Sequence, residues 1–269
     1  MQRFASGAGR CVPGKHPGLG LLNAEAFRGP YGAPAIHVPT DAGERLHIGG
    51  PARVVVDYRR VPAVARNVVI SIAGTDRTRP PVVVMTPRSS WWQSTAERGG
   101  GLVCWLECLR ALLAAPPVAD VVMTANSGHE LGHLGLDDFL ARRPGWERDA
   151  LWLHWGANLG AAGGRLSVMS SSEELRVLAT SELARAGQRP DVLAPVTQVP
   201  SGETRDIHRA GGRYVTLVGT NPRSHLPQDR LPHTVDTQAV TRIAAGAAGL
   251  VQRLAGSGWP TASPDQCAV

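Results

Sequence analysis

The segment TANSGHELGHLGLDDF, residues 124–139, joins an apolar run on its left to a helical pattern on its right. On the left, ADVVMTAN is a short β-branched stretch bounded by turn residues, the pattern of a strand buried on both faces. On the right, GHELGHLGLDDFLARR reads as a helix that Pro144-Gly145 ends. His129 and Glu130 therefore fall at a strand-to-helix turn. In helix-covered sheets, such turns at the carboxyl ends of strands collect functional residues.

The same alternation extends in both directions. NVVISIAG (67–74), PPVVVMT (80–86), ALWLHWGAN (150–158) and RYVTLVGT (213–220) read as further buried strands. A Gly-rich loop, ERGGG (97–101), feeds an apolar helix over Leu102–Ala115 that Pro116-Pro117 stops. SSEELRVLATSELARAG (171–187) opens with a capping-box pattern, and TQAVTRIAAGAAGLVQRLAG (237–256) is a closing amphipathic helix. Strand and helix in turn predict an α/β class: three layers, with a mostly parallel (mixed) sheet flanked by helices. Three loops then converge at one sheet edge: Thr86–Gly101, Asn126–Glu130 and Gly219–Asp229.

A chain of 269 residues, 43% hydrophobic and 19% charged, can bury one sizeable core. Residues 63–257 carry the α/β pattern. Residues 1–62, rich in Gly, Pro and Ala with short β-like runs at APAIHV and ARVVVDY, read as an irregular N-terminal segment, and 258–269 as a flexible tail. The net charge is +6, yet every basic residue except Lys15 is a scattered Arg. Without a basic run, no nucleic-acid partner is expected. Neither a membrane-spanning run nor a secretory signal is visible, so the expectation is a cytoplasmic protein without a membrane partner, or an exported one if the true start lies upstream. Four cysteines make no disulfide framework at this length. Cys104 and Cys108, four apart, share one helix face and read as buried thiols.

The segments VVVMTPRSSWW, STAERGGGLVCWLE, SGHELGHLGLDDF and RSHLPQDRLPHTVD follow one another along the chain. Their order resembles the zinc aminopeptidase family of co-catalytic exopeptidases, with its relative glutaminyl cyclase. That family runs through G-x-H-x-D-S, then A-D-D-N-x-x-G with L-E, then G-E-E-x-G-L-x-G-S, then Y-H-T-x-x-D. The resemblance covers residues 65–254 and implies a fold of zinc-exopeptidase type. The leading GAPAIHVPTDAGERL looks like a remnant of the protease-associated insert of some members.

Taken residue by residue, the resemblance places the family's first histidine on Pro87 and its neighbouring aspartate on Ser89. The bridging aspartate falls on Glu97 and the asparagine after it on Arg98. The general base falls on His129, the adjacent ligand on Glu130, and the last histidine on His225, with Asp229 following. The next aspartate ligand belongs near HWGAN, which holds no carboxylate. Ligands private to one zinc are thus lost, while Glu97, Glu130 and His225 keep those of the other. The resemblance implies one zinc ion on these three residues, with a fourth position open to water.

Other residues carry alternatives. His129 suits proton transfer in place of the family's glutamate, or is an inert replacement in a decayed site. Trp91 and Trp92, two of thirteen aromatic residues, wall a substrate pocket or cap an emptied metal site. His208, in RDIHRAG, lies in a segment the family uses near its substrate pocket. His133 is expected to pack on a neighbouring loop or sheet, and His154 to line the site or stabilise its strand end. The RGGG run offers amides to an anion or, as glycine runs more often do, allows a close approach of loop and sheet.

His129-Glu130-Leu131-Gly132-His133 also matches the H-E-x-x-H of zincin proteases. That geometry needs both imidazoles on one helix face and a third ligand downstream. The extended form fails, because Leu136 and Phe139 occupy its later positions. The expected function is a metal-dependent hydrolase or related amide chemistry, using at most one zinc on a peptide-like or small amide substrate. The alternative is a catalytically inactive homologue that binds a peptide or partner around Trp91-Trp92.

Overall fold

The computed structural model describes residues 20–24, 36–39, 42–43, 55, 57, 59 and 61–256. The segment expected over 1–62, with its two β-like runs, lies largely outside the described residues, as do Cys11, Cys267 and the tail over 258–269.

Seven strands form one sheet in the order β1-β3-β2-β4-β7-β5-β6. They are β1 (Val68–Ile72), β2 (Val82–Pro87), β3 (Val121–Asn126), β4 (Leu151–Trp155), β5 (Leu166–Ser170), β6 (Val192–Leu193) and β7 (Arg213–Gly219). The central β3-β2-β4-β7 neighbours all run parallel, whereas β1 on β3 and β5 on β7 are antiparallel. The class is α/β with a mixed sheet, and the loops after β2, β3, β4 and β7 leave from one edge.

Alternation along the strands builds two cores. Val82, Val84, Met123, Leu153 and Leu217 face one layer, where α1 (Thr95–Ala114), α4 (Glu173–Arg185) and α6 (Thr237–Ala255) pack. Val83, Met85, Val122, Trp152 and Tyr214 face the other, with α2 (Leu134–Ala141) and α5 (Thr204–Arg209). A short α3 (Trp146–Asp149) lies before β4, and its Trp146 packs against this second core. Burial on both faces explains why β2 and β3 read as continuous apolar runs. Cys104 and Cys108 are buried in the first core, and burial pushes the Cys104 thiol up to about 12. No helix among the described residues is long and apolar enough to cross a membrane.

Two local expectations are corrected. The ERGGG run is not a loop: α1 begins at Thr95 and includes all three glycines. Ser94, its N-cap, makes no capping hydrogen bond; instead the Asp229 carboxylate accepts the N–H groups of Ala96 and Glu97, each at 2.9 Å. A tertiary cap, invisible in the local sequence, starts the helix early. The helix expected from Gly128 begins only at Leu134. Gly128, Gly132 and His133 have φ of 73°, 87° and 60°, which a right-handed helix does not allow. Residues 127–133 are therefore a turn. At α4 the capping signal holds, with Ser172 Oγ accepting the Leu175 N–H at 3.3 Å.

Candidate functional site

Side chains of two adjoining clusters meet at the carboxyl edge of the parallel strands. Alternation places His154 on the same face as Trp152, directly beside Thr216 in the β4–β7 register. The turn at 127–133 carries Glu130 and two imidazoles, and the start of α1 carries Glu97 and Arg98.

The first cluster gathers the three residues that resemblance nominates as zinc ligands, around a guanidinium. Arg98 Nη2 lies 2.9 Å from Glu97 Oε1 and 2.9 Å from Glu130 Oε1. Its Nε donates to Ser89 O at 2.6 Å, and Ser89 Oγ donates to Glu130 Oε2 at 2.6 Å. His225 Nε2 is 3.3 Å from Glu97 Oε1, while its Nδ1 meets Leu21 O. Glu97, Arg98 and Glu130 are all buried. The permanent cation thus already bridges both carboxylates. A zinc ion there would have to displace a buried, charge-paired guanidinium, so this donor set as arranged does not fit a metal.

Burial would raise the Glu97 carboxyl, but the His225 hydrogen bond and the Arg98 charge outweigh it and bring Glu97 down to about 2. Burial would lower His225, yet its bond to Glu97 raises it above the usual imidazole value. The depressed carboxyl contributes stability that is full above its usual 4.5 and is lost as pH falls toward about 2. That contribution is on the order of 3 kcal/mol. Glu97→Gln should therefore flatten the acid limb, with a thermal midpoint that falls less steeply than wild type below about pH 4.5. Equal slopes in a pH series of melts would refute this.

The second cluster surrounds Glu203, which the loop after β6 brings to the start of α5. His129 Nδ1 is 2.8 Å from Glu203 Oε1, and His133 Nδ1 is 2.7 Å from Asp206 Oδ2. The two rings stack with centroids 5.2 Å apart. His154 Nε2 lies 3.6 Å from Glu203 Oε2, and its Nδ1 meets Thr204 Oγ1 at 2.6 Å. Thr216 Oγ1 lies 2.7 Å from Thr204 Oγ1, extending the polar chain. Glu203 is 1% and His154 3% exposed. Burial would raise the Glu203 carboxyl, but the charge and hydrogen bond of His129 and the nearby His154 imidazole hold it well below the usual range. Burial lowers His154. It would lower His133 too, but Asp206 and Glu203 raise that group.

The H-E-x-x-H string is thus resolved in an unexpected way. Its two histidines do converge, but across a turn rather than along a helix, and its glutamate points away to Arg98 and Ser89. Both indole N–H groups of Trp91 and Trp92 are engaged: Trp91 Nε1 donates to Asn23 Oδ1 at 2.9 Å, and Trp92 Nε1 to His225 O at 3.0 Å. His208 is engaged elsewhere, its Nδ1 3.0 Å from the Tyr214 hydroxyl in the second core. His133, expected only to pack, and His154, left between lining and stabilising, both belong to the cluster. Glu203, Asp206 and Thr204 were not singled out by the sequence. The motif GETRDIH offered carboxylates, yet nothing in its spacing ties them to His129, 74 positions away.

No family model matches the chain, and no curated protein matches it by sequence. Solved structures do. The fold is similar to BSAP, a zinc aminopeptidase from Bacillus subtilis, with a TM-score of 0.61 at 16% identity over 71% of this chain and 50% of that one. An aminopeptidase from Aneurinibacillus sp. strain AM-1 gives 0.61 at 14% identity over 74% and 50%. Nicastrin, a γ-secretase component, gives 0.56 at 12% over 71% and 43%. The chain spans about half the length of these proteins or less. At such identities the likeness is one of architecture: the chain has the α/β fold of the zinc aminopeptidases.

Proposed function

We propose that the chain is a hydrolase of a peptide-like or small amide bond, working with a single metal ion at the carboxyl edge of its sheet. The observation that carries this is the concentration of His129, His133, His154 and Glu203 at that edge, in a fold shared with zinc aminopeptidases. A metal ion in such a place polarises a carbonyl or lowers the pKa of a bound water. Asp206 orients the His133 ring through its Nδ1 atom, and His129 Nδ1 lies directly against Glu203 Oε1. The Glu97–Arg98–Glu130 unit, one cation between two carboxylates, offers the neighbouring wall a rigid ion triad of net charge −1, and Trp91 with Trp92 offers a face suited to an apolar side chain.

The test is turnover of a panel of aminoacyl and N-terminal glutaminyl amides by zinc-loaded protein. Metal polarisation supplies several kcal/mol, so a chelator should lower turnover about 100-fold or more, and added zinc should restore it. Absence of turnover across the panel, or turnover indifferent to chelation, would overturn the proposal and return the chain to the class of inactive homologues.

A further inference from the structure

We infer that the ion's ligands are His129, His133 and Glu203, with His154 as the fourth donor, rather than the aminopeptidase-like set Glu97, Glu130 and His225. This deepens the proposed hydrolase and rests on that reading for its reaction, although metal binding itself is measured independently. One ligand atom from each of His129, His133 and Glu203 lies within 4.8 Å of the others.

An independent observation points the same way. His154 Nε2 and Glu203 Oε2 are both buried without a hydrogen-bond partner, and they face each other at 3.6 Å. That separation is too long for a hydrogen bond. It is close to the edge, about 3.4 Å, between two donors of a tetrahedral zinc site with bonds of about 2.0–2.1 Å. Two orphaned buried polar atoms are costly, and a cation between them satisfies both.

The surroundings suit imidazole ligands. Asp206 accepts the Nδ1–H of His133, which leaves Nε2 with its lone pair, the carboxylate–histidine–metal arrangement. The Thr204–Thr216 hydroxyl pair can accept the Nδ1–H of His154 by rotating its protons, which turns the Nε2 lone pair toward Glu203. Three imidazoles and one carboxylate fit zinc or another borderline divalent ion better than calcium or magnesium, whose ligands are oxygens. The neighbouring carboxylates, meanwhile, have a resident cation in Arg98. The charge an ion would bring to Glu97 and Glu130 is supplied by the chain itself, and the ion moves to the adjoining imidazoles.

The full chain would be stripped with chelator, dialysed against zinc and assayed for metal by elemental mass spectrometry, with cobalt titration read by visible absorption. About one ion per chain is expected. Glu203→Gln and His133→Ala should each weaken affinity at least about 100-fold, and Asp206→Asn, which removes only the orienting carboxylate, about 10–100-fold. Glu97→Gln and His225→Ala should bind within a few-fold of wild type. Circular dichroism would check that each variant folds, and Asp206→Asn stands in if a ligand variant does not. Metal lost on Glu97→Gln or His225→Ala but kept on Glu203→Gln and Asp206→Asn would overturn this ligand assignment while leaving a one-metal hydrolase standing. No metal in the wild type would overturn both.

Discussion

Arg98→Ala should destabilise the protein by about 3–5 kcal/mol, the usual cost of removing one partner from a buried ion pair. The guanidinium is 4% exposed and touches two carboxylates that are themselves buried. Its loss leaves Glu130 without a cationic partner and Glu97 with only the His225 imidazole, two adjacent carboxylates in low dielectric. It also frees Ser89 O, to which Arg98 Nε donates, so the turn before α1 loses its anchor. For a domain of this size the change corresponds to a fall of roughly 6–20 °C in melting temperature. The triple variant Arg98→Met, Glu97→Gln, Glu130→Gln removes charge and counter-charge together and should recover most of the loss. Thermal or denaturant unfolding decides the matter: a single Arg98→Ala variant within about 1 kcal/mol of wild type would mean that the triad is not a structural unit.

Gly100→Ala should destabilise by about 3 kcal/mol or more, against the sign that helix propensity predicts. In an exposed helix interior the change would gain up to about 1 kcal/mol. Here a Cβ on Gly100 would stand 1.9 Å from Leu159 O and 2.8 Å from Leu159 C, both backbone atoms that cannot rotate away. The helix must move off the sheet edge, and it carries Glu97 and Arg98 with it. Gly99→Ala supplies the internal control. Its nearest neighbour would be Thr95 Cγ2 at 3.9 Å, an ordinary contact, so that variant should be neutral or slightly stabilised. If both variants melt together, close packing at Gly100 is not what holds α1 in place. Of the two roles the sequence left to RGGG, close approach is the one these contacts support, though from within a helix rather than a loop.

Strands β2, β3, β4 and β7 were legible because a strand buried on both faces has to be apolar along its whole length, and turn residues bounded each run. Strand β1 was found from the same apolar signal but is an edge strand with Val68 and Val69 exposed, not the buried strand expected. Helices α4 and α6 were legible from a cap and from an amphipathic period. Strand β5, antiparallel against β7, was not legible: LSVMS is too short and too polar to announce itself. The onset of α1 was missed because its capping group, Asp229, lies more than a hundred residues away. The onset of α2 was missed because positive φ at Gly132 and His133 is a property of the folded turn, while the sequence there shows only helical spacing.

The site divides along the same line. Sequence by itself determined the α/β class, the loops that converge at one edge, and the presence there of Glu97, Glu130, His129 and His225. Only the tertiary structure decided which of these atoms face one another. Arg98 follows Glu97 in the chain, yet nothing in the sequence says that it also reaches Glu130, 32 positions on. His129 and His154 meet Glu203 only because β4 and the β3 turn end beside the loop that precedes α5. Local periodicity reports which face a side chain takes, since that depends on its own strand or helix. A cluster of donors from three separate segments depends on how those elements pack, and spacing along the chain carries no trace of it.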